Sequence, residues 1–228
     1  MRFALGLVLA LPIMANAMTM RDTEFVCPIG KEVFQAQQAV SGTVFGRELD
    51  LRPYGAIAAP APLPKCPSNG FVMFSERLSD ADLATLTPYV NSPEYAALKD
   101  KHTNYYLAAQ LQRKLGTPAD EVAYTLLQAT WEAQGKAQYK QYAAETLAAL
   151  EALLAQPDIK PGNALTFQLV AGELERRLGK FDAAKARFLR LRDQGDGAGS
   201  LAKSWVDYEL TLVEAKDTLP HPMPDTQR

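Results

Sequence analysis

Between residues 79 and 215 the apolar side chains recur every three or four positions, the spacing that gathers them on one face of a helix. Ser92-Pro93 supplies a cap and a first-turn proline to a helix carrying Leu107, Leu111 and Leu115, and Gly116 stops it. Thr117-Pro118-Ala119-Asp120 starts the next, along which Ala123, Leu127 and Trp131 repeat until Gly135. Tyr139, Ala143, Leu147, Leu150 and Leu154 mark a further helix, with Pro157 beyond its end. Three more follow, on Leu165, Leu169, Leu174 and Leu178, on Phe181, Ala184, Phe188 and Leu191, and on Leu201, Trp205, Tyr208 and Leu212. Short turns between such helices predict antiparallel packing. After about Ala215 the prolines 220, 222 and 224 predict a flexible tail over 216–228.

Ahead of residue 78 the pattern changes. Val33-Phe34-Gln35-Ala36, Gly42-Thr43-Val44-Phe45 and Gly70-Phe71-Val72-Met73-Phe74 read as short strands between Gly and Pro punctuation, and Ala56–Pro64 as an extended loop. The expected fold class is α+β, mostly α: a small strand-and-loop domain over 18–78, then an antiparallel helical array over 79–215. So small a leading domain buries little apolar surface and needs a disulfide or a metal.

The first seventeen residues read differently again. Arg2 precedes an apolar stretch, Phe3–Met14, which ends in Ala15-Asn16-Ala17, the small-x-small pattern of a cleavable secretory signal. The stretch is shorter than the about 20 residues that cross a bilayer, which disfavours an uncleaved anchor. Phe25 and Val26 are too bulky for a lipoprotein box before Cys27. The expected location is therefore periplasmic or secreted, with no integral membrane segment after cleavage. The formal net charge of −2 provides no field for nucleic acid or an anionic membrane. Two cysteines, Cys27 and Cys66, in an exported chain favour a disulfide. It would close a loop of about 40 residues, worth roughly 4 kcal/mol by chain entropy.

Gly172 through Leu191 resembles a tetratricopeptide repeat: Gly172 sits where one helix needs a small residue, Leu178-Gly179-Lys180-Phe181 forms the turn, and Ala184, Phe188 and Leu191 make the facing stripe. More widely, residues 25–190 resemble a bacterial family, domain of unknown function 2225. The residues that carry the likeness are Cys27-Pro28-Ile29-Gly30, Cys66-Pro67-Ser68-Asn69-Gly70, Asp50-Leu51-Arg52-Pro53-Tyr54 between them, and Tyr105-Tyr106-Leu107 onward through Trp131. The family pattern implies two Cys-x-x-Cys knuckles and hence four thiolates on a zinc ion. Here Gly30 and Asn69 stand in place of the second cysteines, so the implied zinc is set aside and no metal or cofactor is expected. The likeness implies instead that Cys27 and Cys66, one from each knuckle, face each other and form the disulfide of a degenerate zinc-ribbon-like domain.

No nucleophile elbow, zinc-protease helix or phosphate loop is present. His102 reads as a solvated surface histidine rather than a catalytic one. Three groups remain as candidate binding residues. Asp50, Arg52 and Tyr54 would share one side of a strand, either as a polar binding face or as a local ion pair. Tyr105 and Tyr106 belong to a tyrosine-rich region that fits either an interface or helix packing. Arg176 and Arg177 open a basic run to Arg192, either a docking patch or a solvated helix face. The functional expectation is an exported protein-protein interaction or scaffold protein that takes a protein or peptide partner. The alternative is a hydrolase using carboxylates in a cleft between the two domains.

Overall fold

The computed structural model describes residues 18–193 and 199–224. The expected signal segment, 1–17, lies outside the described residues. The fold is α+β and mostly α. Four strands come first: β1 (Thr19–Val26), β2 (Val33–Ser41), β3 (Thr43–Arg47) and β4 (Pro53–Ala56). Eight helices follow among the described residues: α1 (Asp80–Val90), α2 (Pro93–Lys99), α3 (Asn104–Leu115), α4 (Ala119–Glu132), α5 (Tyr139–Leu154), α6 (Pro161–Arg177), α7 (Phe181–Asp193) and α8 (Gly199–Glu214).

The strands form two antiparallel ribbons, β1 with β2 and β3 with β4. Phe25 pairs with Phe34 and Val26 with Val33, so Cys27–Glu32 is the turn between the first two strands. The strand expected over Gly70–Phe74 is reduced to one bridge, Lys65 to Val72, which brackets the second cysteine turn.

From α3 onward each helix packs on the next, as the short turns predict. Left-handed glycines 116 and 179 follow α3 and α6, positions where a side chain would be strained. Gly172 is required by packing: a Cβ there would lie 2.4 Å from Cζ of Phe188 on α7. The single helix expected after Ser92 is two. Ser92 caps α2 through the Tyr95 amide as foreseen, but the chain breaks at Asp100–Thr103 before α3.

The strand region has no core to itself. Cys27, Ile29, Cys66, Phe71 and Val72 share one apolar cluster with Leu86, Tyr89, Tyr95, Leu107 and Leu111 of α1–α3. Leu49 enters a second cluster with Phe188, Trp205 and Val206. Residues 216–224, expected to be flexible, are fastened to the same region. The Leu49 amide donates to the His221 carbonyl (2.9 Å), and the Met223 amide to that of Arg47 (2.8 Å).

Candidate functional site

The structure separates the residues singled out from the sequence. Asp50, Arg52 and Tyr54 do not share a strand face, because β4 starts only at Pro53. A tight turn precedes it, closed by the Leu51 amide on the Glu48 carbonyl (2.8 Å), with Leu51 at φ 70. Asp50 is buried in that turn and accepts the Arg52 amide (3.0 Å). Arg52 grips Glu48 with Nε and Nη2 (2.9 and 2.5 Å), so it makes the local ion pair, though with a different acid. Tyr54 alone of the three is exposed.

Tyr105 and Tyr106 are buried and bind other parts of the same chain. Tyr105 Oη donates to the Ala61 carbonyl (2.8 Å), tying the proline-rich loop to α3. Burial and the nearby Glu132 push its hydroxyl up to about 12. The Tyr106 ring stacks between His102 (4.3 Å) and Tyr142 (4.4 Å), and its Oη donates to Glu145 (2.9 Å). His102 is therefore half-buried and engaged rather than free on the surface. Its Nδ1 lies 3.0 Å from the Tyr142 hydroxyl, and burial lowers its pKa.

Arg176 and Arg177 are no docking patch. Arg176 is 0 % exposed. Its Nε bonds both Glu173 and Glu209 (2.9 Å each), and its Nη1 donates to the carbonyls of Asp217 (2.7 Å) and Leu219 (3.1 Å). One guanidinium thus joins α6, α8 and the C-terminal strap. Arg177 lies 4.9 Å from the Tyr139 ring centroid and 3.6 Å from Glu173. Its Nε and Nη1 have no hydrogen-bond partner among the described residues, so its charge acts on Glu173 and Asp50 through space. Further along the basic run, Arg187 is likewise buried against Glu175 (2.8 Å).

Burial pushes the Glu173 carboxyl well above the usual range; Glu209 adds to the push, and Arg176 and Arg177 oppose it. Burial also raises Glu209, against Arg176. Such acids are what the hydrolase reading requires, but a catalytic carboxylate must touch substrate. Glu173 and Glu209 are both 0 % exposed and bonded to Arg176, so their geometry is that of a structural network.

Asp50 gives this network a measurable pH dependence. Burial raises its carboxyl from 3.8 to about 6, against the pull of the Arg52 amide. A folded pKa above the unfolded one means that its stabilising contribution is complete below about pH 4 and is lost as the pH rises through about 6. Holding the carboxyl at about 6 instead of 3.8 corresponds to about 3 kcal/mol. Asp50→Asn keeps an Oδ1 acceptor for the Arg52 amide and removes the titration. Urea denaturation between pH 4 and pH 7 is expected to show a fall in wild-type stability, relative to the variant, of up to about 3 kcal/mol. Parallel pH profiles would show that Asp50 is not the group that titrates.

The two cysteine turns are built alike. The Cys27 amide donates to the Glu32 carbonyl and the Cys66 amide to that of Phe71, both at 2.8 Å. The Lys31 amide returns to the Cys27 carbonyl (3.1 Å) and the Gly70 amide to that of Cys66 (3.0 Å). Lys31 and Gly70, in equivalent places, both have positive φ. Cys27 and Cys66 form the disulfide, with Cα atoms 5.7 Å apart. Where the family pattern has second cysteines, Gly30 offers no donor, and the Asn69 amide is engaged with the Ile29 carbonyl (2.6 Å) and the Phe71 amide (2.8 Å). A four-thiolate zinc set therefore does not fit this chain. The turns are also tied directly: the Ser68 amide donates to Glu32 Oε1 (3.1 Å), a contact that nothing in the cysteine spacing foretold.

Outward-facing apolar side chains gather on the ribbons. Val26, Val33, Val40, Val44, Phe45 and Tyr54 are exposed, Val33 by 60 % and Phe45 by 59 %. Val26 and Val33 are paired across the first ribbon and share its outer face, while Phe25 and Phe34 occupy the half-buried inner one. A groove runs between this ribbon and the proline-rich loop, lined by Phe25, Ala39, Pro62, Leu63, Met73 and Phe74.

Fold and site define an α+β protein in which a disulfide-joined pair of cysteine turns and two open ribbons are mounted on an antiparallel helical array. No family model, curated protein or solved structure matches the chain.

Proposed function

We propose that this is an exported protein-docking module, a scaffold whose ribbons take an extended segment of a partner polypeptide. The observation that carries the reading is the concentration of exposed large apolar side chains on two-stranded ribbons with unpaired edges. An open strand edge offers a row of amide donors and carbonyl acceptors that fits an extended peptide, and adjacent apolar side chains add affinity and selectivity. Among the described residues of the helices the large exposed apolar residue is Tyr124. This contrast supports the ribbons, rather than the helical stripe, as the docking surface.

Export is part of the proposal. It is supported by the small-x-small motif at Ala15–Ala17 and by a disulfide of the kind that persists in oxidising compartments. No helix among the described residues is long and apolar enough to cross a membrane. Descent from the family of domain of unknown function 2225 is likewise proposed. It is supported by two turns that each open on Cys-Pro and repeat the same hydrogen bonds.

Photo-crosslinking from Val33 and Phe45 in exported protein, compared with crosslinking from Tyr124, tests the docking surface. A discrete adduct from the ribbon positions that is lost in Val40→Lys and retained in Tyr124→Lys supports the reading. Adducts from Tyr124 alone, or none above background at any site, would overturn it.

A further inference from the structure

The cysteine turns bring together more than a disulfide. Donor atoms of Cys27, Cys66 and Glu32 all lie within 4.8 Å of one another. Donors around a tetrahedral zinc ion stand about 3.5–3.8 Å apart, given bonds of about 2.3 Å to sulfur and 2.0–2.2 Å to oxygen. The present span needs only a small contraction at the carboxylate and the opening of the sulfur pair. Both cysteines are shielded from solvent, and Glu32 is half-buried. The Ser68 amide already holds the Glu32 carboxylate across the gap between the turns. The Asn69 Nδ2 lies 3.9 Å from Cys27 Sγ, placed to support a thiolate there.

We propose that reduction of the Cys27–Cys66 bond unmasks a zinc site whose three protein donors are the Cys27 and Cys66 thiolates and the Glu32 carboxylate. This donor set differs from the four-thiolate set of the family pattern, and Glu32 belongs to neither family knuckle position. A dithiol reductant supplies two electrons and two protons to the disulfide, leaving two thiols and the oxidised dithiol. Binding the ion then releases both thiol protons as two sulfur–metal bonds form. Two soft sulfurs and one oxygen suit Zn2+ rather than the hard cations Mg2+ and Ca2+, which take oxygen alone. Three protein donors leave a fourth position for water. Oxidation closes the site and reduction opens it, so metal binding reports the thiol state of the chain.

The experiment titrates full-length protein, oxidised or reduced with a dithiol that is then removed under anaerobic conditions. Co2+ serves as the spectroscopic probe and Zn2+ as the competitor. One Co2+ per reduced chain, with a sulfur-to-metal charge-transfer band displaced by stoichiometric Zn2+, is the expected result, and the oxidised chain should give none. Glu32→Gln should weaken binding by more than about tenfold, at least the effect of losing an outer-shell partner. Cys66→Ser should abolish the band. If the reduced chain unfolds, recovery of its helical circular dichroism on adding Zn2+, absent in Cys66→Ser, supports the site equally. A folded reduced chain without the band, an unfolded one that Zn2+ does not rescue, or wild-type affinity in Glu32→Gln would overturn the proposal.

Discussion

Arg176→Met is expected to lower the folding stability by about 3–5 kcal/mol, the cost of removing one partner from a buried ion pair. Set against a typical total of about 5–15 kcal/mol, this brings the chain close to unfolding. The side chain is fully enclosed, and its loss strands two carboxylates, Glu173 and Glu209, with no water to solvate them. It also removes the donors that hold the carbonyls of Asp217 and Leu219. Urea denaturation measures the loss. Native-state hydrogen exchange should show the Leu49 and Met223 amides, which bond between the strap and the ribbon, losing protection before the helices do. Replacing Arg176 together with its two carboxylate partners, as Arg176→Met with Glu173→Gln and Glu209→Gln, should recover part of the loss, because neither carboxylate is then stranded. The recovery is partial because Arg177 loses Glu173 and keeps only Asp50 through space. A triple variant as unstable as the single one would show that the strap contacts, rather than the stranded carboxylates, carry the effect.

How far the sequence reveals this structure depends on where each residue finds its partner. The helices from α4 to α7 are legible because their signals are local. Apolar repeats, a proline start and glycine stops lie within one helix length, and Gly172 shows its need for smallness through the ring of Phe188 only sixteen positions on. The break before α3 is not legible. It is held by the Tyr142 hydroxyl, which accepts the Thr103 amide (3.1 Å) from 39 residues away.

The candidate site shows the same division more sharply. Arg176 and Arg177 look like part of a solvated basic face because runs of charge on a helix usually are. Their burial depends on Glu209 from α8, and on Asp50 and Tyr139 from two other elements. Three prolines made the C-terminal segment look loose, since proline has no amide to donate. The strap needs few amides of its own: the carbonyls of Asp217, Leu219 and His221 accept from Arg176 and Leu49. A segment rich in acceptors is ordered by donors that the rest of the chain provides. The cysteine pair is legible because two cysteines in a chain that reads as exported have only each other to bond. The third member of that cluster, Glu32, lies five residues past Cys27, where no ligand spacing points to it.

The second large effect is expected at the disulfide. Cys27→Ala with Cys66→Ala should cost about 4 kcal/mol, the chain entropy released by opening a loop of about 40 residues. The cysteines sit 39 positions apart and lie in the same apolar cluster as Leu86, Tyr95, Leu107 and Leu111. The bond thus constrains the strand region at the point where it meets α1–α3. The alanine pair leaves no thiol to reoxidise or to bind metal, so its urea midpoint isolates the cross-link itself. Contacts between the turns that survive the substitution include Asn69 Nδ2 on the Ile29 carbonyl (2.6 Å) and the Ser68 amide on Glu32. They should hold the turns near each other and keep the loss from exceeding the entropic figure by much. A loss under about 1 kcal/mol would mean that the unfolded chain already keeps the two turns close, the case in which a cross-link restrains little. The reduced wild type supplies the comparison. Without metal it should match the alanine pair, and with Zn2+ it alone should regain stability, since only its two sulfurs can join the turns again.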